Sequence, residues 1–177
     1  MLKTNLTYSK NAMSADNQQE RLDTKWIVGF VDGEGCFHIS INKIDKMALG
    51  WQVLPEFRVV QHQKDEDVLK KLQDYFGFGK VKINRKDHHG IRKEFRVRGL
   101  DNLSKLIEFF NENSLQTKAK KQSFETFSEV IEMMKTKDHL TSKGLDKIAR
   151  MVSRMNRKPN LKYLESSETI RQTSVKR

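Results

Sequence analysis

The segment Trp26-Ile-Val-Gly-Phe-Val-Asp-Gly-Glu-Gly35 decides the fold, and it is an apolar run that ends in two acids, Asp32 and Glu34, set among glycines. Gly29 and Gly33 are four residues apart, so in a helix both lie on one face. Because this face carries no side chains at those positions, another backbone can approach it closely, as helices with small residues four apart allow elsewhere. If a second copy packs there, two acids arrive side by side. Paired carboxylates beside a basic surface can hold a divalent metal against phosphate.

The stretch from Ile27 to Gly35 resembles the signature motif of the LAGLIDADG homing endonucleases. The identical positions are Gly29, Asp32 and Gly35. Val28 replaces the first small alanine of the motif, and Gly33 replaces the second. Glu34 stands where many members have Asp, and it still supplies a carboxylate that is one methylene longer.

The overall charge of the chain favours a polyanionic partner. Its 177 residues include 34 Lys and Arg against 23 Asp and Glu, a formal net charge of +11. Such a balance is most often found in proteins that bind nucleic acid, although a generically basic protein such as a ribosomal one is the alternative. The single cysteine, Cys36, excludes an intrachain disulfide and a cysteine-based zinc site, and it weakly favours an intracellular setting. The sequence has no apolar run long enough for a membrane span, so no membrane partner is expected.

Composition divides the chain into three parts. Residues 1–19 are polar and predict a flexible N-terminal arm, with no secretory signal; an organelle transit segment stays open. Residues 20–155 form the predicted folded domain, and residues 156–177 form a basic C-terminal tail. The stretch 141–177 holds ten basic residues against three acids, which predicts backbone clamping of DNA; a disordered tail is the alternative.

Hydrophobic periodicity predicts an α+β fold. The predicted helices cover about residues 20–32, ended by Gly33 and Gly35, then 64–76, 101–111, 118–135 and 142–155; the predicted strands cover 36–42, 50–61, 80–85 and 92–98. Pro55 predicts a bulge or an edge position within the second strand. This order indicates a four-stranded, mainly antiparallel sheet with helices on one face, followed by C-terminal helices. It also matches the αββαββα core of the family.

Strand alternation predicts one apolar and one basic sheet face. The predicted inward residues are Phe37, Ile39, Ile41, Phe57, Val59, Val81, Ile83, Phe95 and Val97, while Glu56 and Glu94 are placed outward among basic residues. The predicted DNA-binding residues on the outward face are His38, Ser40, Asn42, Arg58, Lys80, Lys82, Asn84, Arg96 and Arg98. Strands can lie in a DNA major groove, where such side chains read base edges. A mixed face in contact only with solvent is the alternative.

The resemblance implies an activity and its partners. Members of the family cut both strands of DNA by metal-assisted phosphodiester hydrolysis, and members with one motif act as homodimers on long, roughly palindromic sites. No second copy of the motif is found in this sequence, so a homodimer is expected, with Val28, Gly29, Asp32 and Gly33 at its interface. The family is often encoded in introns of chloroplast or mitochondrial genes, so an organelle is expected.

The resemblance also implies a catalytic site. Glu34 is expected to bind Mg²⁺ together with the backbone carbonyl of Gly33, and Mn²⁺ or Ca²⁺ could substitute for binding. Gln61 matches the polar residue that positions water, and Lys118 matches the active-site lysine, with Lys120 as the alternative. Asp32 is either a structural hydrogen-bond acceptor, which we favour, or a direct metal ligand. Two other functions stay open: an intron RNA maturase, and a nucleic-acid-binding protein that does not cleave.

Overall fold

A computed structural model of the chain describes residues 22–155 and Tyr163. Its elements are α1 (Thr24–Glu34), β1 (Gly35–Lys43), β2 (Trp51–His62), α2 (Glu66–Phe76), β3 (Lys80–Asp87), β4 (Gly90–Val97), α3 (Leu100–Glu112), α4 (Lys118–Lys135) and α5 (Ser142–Met155). Their order confirms the predicted αββαββα core with further helices after it. The predicted N-terminal arm lies outside the described residues, and so does the basic tail apart from Tyr163.

The four strands form one sheet in the order β1-β2-β4-β3, and each neighbouring pair is antiparallel. Pro55 pairs with Ile39 of β1, whereas the pairing of β2 with β4 begins only at Phe57. The first half of β2 therefore has a free edge, where the missing N–H of proline need not cost a ladder bond. This confirms the edge position, and the register of β1 with β2 is continuous through Pro55, without a bulge.

One face of the sheet is covered by helices and forms the core. The central strands contribute Phe57 and Phe95, which are fully buried, and α3 and α4 pack Phe110 and Phe127 against Phe37 of β1. The inward prediction is confirmed for β1, β2 and β4. Ile83 pairs with Lys93, which shares a strand face with Phe95, so it also points to the helix-covered side, but it is 46% exposed because β3 is the edge strand of the sheet.

Helix α1 begins and ends later than predicted, and this difference sets the position of the motif acids. Asp23 caps the helix by accepting hydrogen bonds from the backbone N–H groups of Lys25 and Trp26. At the other end the helix continues through Gly33 to Glu34, and Gly35 already belongs to β1. A Cβ at Gly35 would lie 2.6 Å from Cγ1 of Val31, so glycine is required where the helix passes directly into the strand.

Candidate active site and nucleic-acid interface

Glu34 is the last residue of α1, and its carboxylate is available to a ligand. The side chain is exposed and makes no hydrogen bond or ion pair within the described part of the chain. The final carbonyl groups of a helix, which include that of Gly33, lack intrahelical donors and carry the negative end of the helix dipole. A carboxylate beside free backbone carbonyls is a set of oxygen donors that suits Mg²⁺ or Ca²⁺.

Among residues 22–155 and Tyr163, no group of three or more His, Cys, Asp or Glu side chains is arranged to hold a metal ion. The oxygen donors at the end of α1 fit the expected metal in kind.

Asp32 is a structural residue that joins the end of α1 to the start of α4. Its carboxylate accepts hydrogen bonds from the backbone N–H groups of Gln116 at 2.6 Å and Thr117 at 3.1 Å, and from the Thr117 hydroxyl at 2.9 Å. Burial alone would raise the pKa of Asp32, but these donors and the charge of Lys120 hold the pKa below its ordinary value. Of the two roles considered for Asp32, the structure supports the hydrogen-bond acceptor.

The docking of α4 by Asp32 decides which lysine lies beside the motif. The Nζ of Lys120 donates a hydrogen bond to the backbone carbonyl of Gly35, the residue after Glu34. Lys118 is exposed and makes no hydrogen bond or ion pair within the described residues. Two residues along a helix rotate a side chain by about 200°, so the two lysines face nearly opposite ways. The structure therefore brings Lys120 to the site, and Lys118 does not share this position.

Gln61 lies at the same end of the sheet as Glu34. The ladder between β1 and β2 begins at the pair Gly35 and Val59, and Gln61 is two residues further along β2, paired with Lys93 of β4. Side chains alternate along a strand, so Gln61 shares the helix-covered side with Val59 rather than the outward face. Gln61 therefore lies at the edge of the sheet where α1 passes into β1, and its role in positioning water stays a prediction.

The nine predicted DNA-binding residues share the outward face of the sheet. Arg58 pairs with Arg96 in the two central strands, and their outer neighbours in the same row are Cys36 and Lys80. The exposed members are Asn42, Lys80, Lys82, Asn84 and Arg98, and the partly buried members are His38, Ser40, Arg58 and Arg96. The face is therefore basic and hydrogen-bonding across all four strands.

Two acids lie buried within this basic face, and strand alternation alone does not predict their burial. Glu56 is only 5% exposed and Glu94 only 2%, although both were predicted to point outward. Arginine and lysine side chains cover them. Glu94 accepts a hydrogen bond from Asn84 at 2.8 Å and lies 3.4 Å from Nε of Arg96 and 3.6 Å from Nζ of Lys82.

A repeated tetrapeptide is the sequence signal that marks these acids. Glu-Phe-Arg-Val occurs at residues 56–59 and again at 94–97. The two copies pair with each other in β2 and β4, with Arg58 opposite Arg96. An acid two residues before an arginine on one strand face brings both side chains to the same side of the sheet.

The charge crowding on this face also affects titration. Burial, followed by the charge of Arg98, lowers the pKa of Arg96, and Glu56 partly opposes this effect. Burial and the charge of Arg58 likewise lower the pKa of His38. His38 is therefore held neutral at neutral pH and can act as both donor and acceptor.

The outer face of α1 is apolar and has no partner among the described residues. Gly29 and Gly33 are exposed, and a Cβ added to either would meet nothing within 4 Å. Trp26, one turn before Gly29, is 43% exposed and stacks on Phe30 with ring centroids 4.7 Å apart. Val28, also predicted at this interface, is 8% exposed and offers little surface. Across the described ranges, the helices include none with the length and apolar character needed to cross a membrane.

Comparison with known proteins identifies the family. The family model described as LAGLIDADG endonuclease matches residues 27–147, which is more than half of the chain. The chain belongs to this family. The match extends from the motif helix through α4 into α5.

Two of the relatives found by sequence are fungal proteins that are longer than this chain. A probable intron-encoded endonuclease 3 of Neurospora crassa is 30% identical over 148 residues, which cover 83% of this chain and 27% of that protein. The intron-encoded RNA maturase bI4 of Saccharomyces cerevisiae is 30% identical over 118 residues, covering 67% of this chain and 16% of that protein. The chain thus spans about a quarter or less of the length of these relatives.

The solved structures include both short and long chains. The homing endonuclease I-TnaI is 41% identical with a TM-score of 0.76, and the match covers 85% of this chain and 99% of that chain. The meganuclease I-CpaMI bound to uncleaved DNA is 30% identical with a TM-score of 0.77, covering 85% of this chain and 50% of that chain. I-SmaMI, bound to its uncleaved DNA target in the presence of calcium ions, is 33% identical with a TM-score of 0.72, and the match covers 78% of this chain and 46% of that chain.

Proposed function

We propose that this chain is one subunit of a homing endonuclease that makes a double-strand break in a long, roughly palindromic DNA site by divalent-metal-dependent hydrolysis. The observation that carries the proposal is the carboxylate of Glu34 at the end of α1, which has no partner among the described residues and lies beside an uncovered glycine face, one residue before the carbonyl that Lys120 contacts. Membership of the endonuclease family and the DNA-bound structures of I-CpaMI and I-SmaMI support DNA as the substrate.

The subunit pairs with a second copy through the outer face of α1. Gly29 and Gly33 form the contact line, flanked by Val28 and by the backbone at Asp32, whose carboxylate is committed within the chain. The near-complete coverage of the I-TnaI chain, against half of the I-CpaMI chain, supports a unit that corresponds to one half of a two-part enzyme. Pairing brings one Glu34 from each copy to the twofold axis.

Glu34 and the carbonyl of Gly33 would hold Mg²⁺, and Mn²⁺ or Ca²⁺ would substitute for binding; the structure of I-SmaMI with DNA in the presence of calcium ions supports a divalent cation. When bound there, the metal would supply charge that lowers the pKa of an attacking water and neutralises the phosphate. Two Glu34 carboxylates near one axis repel each other, so cation uptake between them is favoured. The negative end of the α1 dipole adds to this preference.

Two other side chains act on the reacting groups. Lys120 stabilises the scissile phosphate or polarises the water, because its ammonium group is held next to the residue that follows Glu34. Gln61 orients the water from the adjacent end of β2. Lys118, which the sequence alone suggested for this role, becomes the matched control.

The sheet face binds DNA in the major groove. The guanidinium groups of the arginines suit the hydrogen-bond acceptors of guanine, and the side-chain amides and hydroxyls of β1 and β3 suit contacts with several kinds of base. Positive charge on the exposed edge strand contributes affinity through the phosphates.

The gene origin and location of the protein follow from its relatives. Relatives are named as intron-encoded endonucleases, which supports an origin in an intron. We therefore propose that the protein acts in an organelle, a chloroplast or a mitochondrion.

The proposal is tested by cleavage of a pooled library of duplex intron-insertion sequences with Mg²⁺ and with chelator. Wild type is compared with Glu34→Gln and with Glu112→Gln, an exposed acid at the end of α3. We expect metal-dependent cuts at one site, lost only in the Glu34 variant. Cleavage that survives in Glu34→Gln, or persists in chelator, would contradict the proposal.

A second function, RNA maturase activity, is favoured by the likeness to the maturase of Saccharomyces cerevisiae. Structured intron RNA would then be a partner. Splicing of a reconstituted intron that depends on the protein, combined with DNA binding that never leads to cutting, would select this function.

A further inference from the structure

Glu56 is the acid on the outward face that gathers the most arginine contacts. Its Oε2 accepts a hydrogen bond from Nε of Arg98 at 2.7 Å and lies 2.5 Å from Nη2 of the same side chain. Nη1 of Arg96 is 3.6 Å from Oε2, and Nε of Arg58 is 3.4 Å from Oε1. One buried carboxylate therefore contacts three guanidinium groups that come from both central strands and from the end of β4.

This arrangement is unfavourable for simple electrostatic attraction to DNA. A carboxylate at the centre of the face cancels part of the positive charge that neutralises phosphates, and so lowers sequence-independent affinity. Burying a carboxylate also costs desolvation that its ion pairs barely repay, and an apolar residue of similar size is often as stable. Neither non-specific affinity nor stability therefore requires an acid at this position.

The contribution is the orientation of the arginines. A free arginine side chain carries about 2 kcal/mol of rotamer entropy, which is lost when it engages a base edge. The carboxylate of Glu56 restrains Arg58, Arg96 and Arg98 before DNA arrives. Their side chains remain 28%, 20% and 45% exposed, so donor groups stay available on the outward side.

The local sequence indicates that the cluster is built around Glu56 in particular. Arg58 is paired with Arg96 where the two tetrapeptides meet. Extended by two residues in one direction, this register sets Arg98 opposite Glu56. In the other direction, the residue opposite Glu94 is Val60. The third arginine is thus present at only one of the two equivalent positions. His38, the β1 neighbour of Glu56, is half-buried and held neutral, so it adds no competing charge to the cluster.

We propose that Glu56 is a positioning residue that fixes Arg58, Arg96 and Arg98 for base reading and thereby sets sequence specificity at one position of the half-site. The proposal rests on the proposed function, because it requires a DNA duplex in contact with the outward face. A guanine in that position is the expected partner, since two adjacent donors of a guanidinium match its O6 and N7.

The test measures binding in Ca²⁺, with cleavage not required, for cognate duplexes and for duplexes changed at single positions. Glu56→Gln keeps the shape and removes the charge, and Glu56→Asp keeps the charge but withdraws it by one methylene. Glu129→Gln removes an equivalent charge from an exposed ion pair with Lys147 on the helices. Thermal unfolding verifies that each variant is folded.

We expect both Glu56 variants to lose roughly tenfold or more of the discrimination at one position of the half-site, and to keep it elsewhere. Non-specific binding of Glu56→Gln should tighten. Glu129→Gln should leave the discrimination unchanged. If Glu56→Gln fails to fold, Glu56→Asp carries the same prediction.

Unchanged discrimination in a folded Glu56 variant would overturn the positioning role while leaving the endonuclease proposal intact. A loss spread evenly over all positions would also overturn it, because that result indicates a general change of charge. A wild-type protein that does not distinguish any duplex from another would overturn the proposed function itself, and the positioning role with it.

Discussion

Substitution of Gly29 by leucine should have opposite effects on the single chain and on its self-association. A side chain at Gly29 starts in open space, since a Cβ there meets nothing within 4 Å, and the position is exposed in the middle of α1. Leucine is a better helix former than glycine by up to about 0.8 kcal/mol. The isolated chain should therefore become slightly more stable, with no internal clash to offset the gain.

In a dimer packed through this face, the same leucine occupies space that the partner's backbone needs. Forcing an extra side chain into a packed site costs about 1–3 kcal/mol, and a twofold interface contains the change twice. The dimer should then weaken by at least about 2 kcal/mol, which is roughly thirtyfold in its Kd. Because the Glu34 carboxylates meet only in the dimer, cleavage should fall with it.

Sedimentation velocity over a range of concentrations measures the association, and thermal unfolding measures the stability of the chain. Asn111→Leu, which adds the same side chain to an exposed position of α3, serves as the control and should leave the dimer intact. A Gly29→Leu protein that dimerises and cleaves as wild type does would refute the assignment of this face.

Three further substitutions test individual contacts. Lys120→Met should lower the cleavage rate by about 10²–10³-fold while Lys118→Met changes it little, because removing one donor that stabilises a developing charge costs that much; equal losses in single-turnover assays would refute the choice. Asp32→Ala should cost about 1–2 kcal/mol of unfolding free energy in denaturant titrations, since it removes the carboxylate that accepts hydrogen bonds from the two residues before α4, and an unchanged midpoint would refute this structural role. The pKa of Asp32 is lowered in the folded chain, so the stability that Asp32 contributes is fully present above its ordinary pKa of 3.8 and is lost as the pH falls through the lowered folded pKa. Denaturant titrations at decreasing pH should show the stability advantage of wild type over Asp32→Ala disappearing in acid. Gly35→Ala should destabilise the fold by about 1–3 kcal/mol through contact with Val31, and a melting temperature equal to that of wild type would show that this turn is not tight.

Much of the fold could be predicted because local patterns were strong. The bounds of α4 and α5 are the predicted ones, Lys118–Lys135 and Ser142–Met155, since each has a clear apolar face between polar boundaries. Ile83 shows that strand alternation does not predict how exposed a side chain is. Alternation assigns a side chain to one face of its strand, but exposure depends on the place of that strand in the sheet, which the strand's own sequence does not contain.

The candidate site was predicted in its residue types but not in its contacts. The choice between Lys118 and Lys120 required the tertiary hydrogen bonds from residues 116–117 to Asp32, which fix the rotation of α4 against α1. The burial of Glu56 likewise arises from arginines on two strands that pair only in the fold. Sequence alternation indicated the face of Glu56, but it could not indicate what covers that face.

The central claim is that each double-strand cut needs the Glu34 of two copies. It is tested most directly by mixing wild type with Glu34→Gln under conditions that allow subunit exchange, and by measuring double-strand cleavage at a fixed total protein concentration. In an equal mixture we expect about a quarter of wild-type cleavage, because only that fraction of pairs carries two intact carboxylates. Cleavage at about a half, as expected if each chain acts alone, would contradict it.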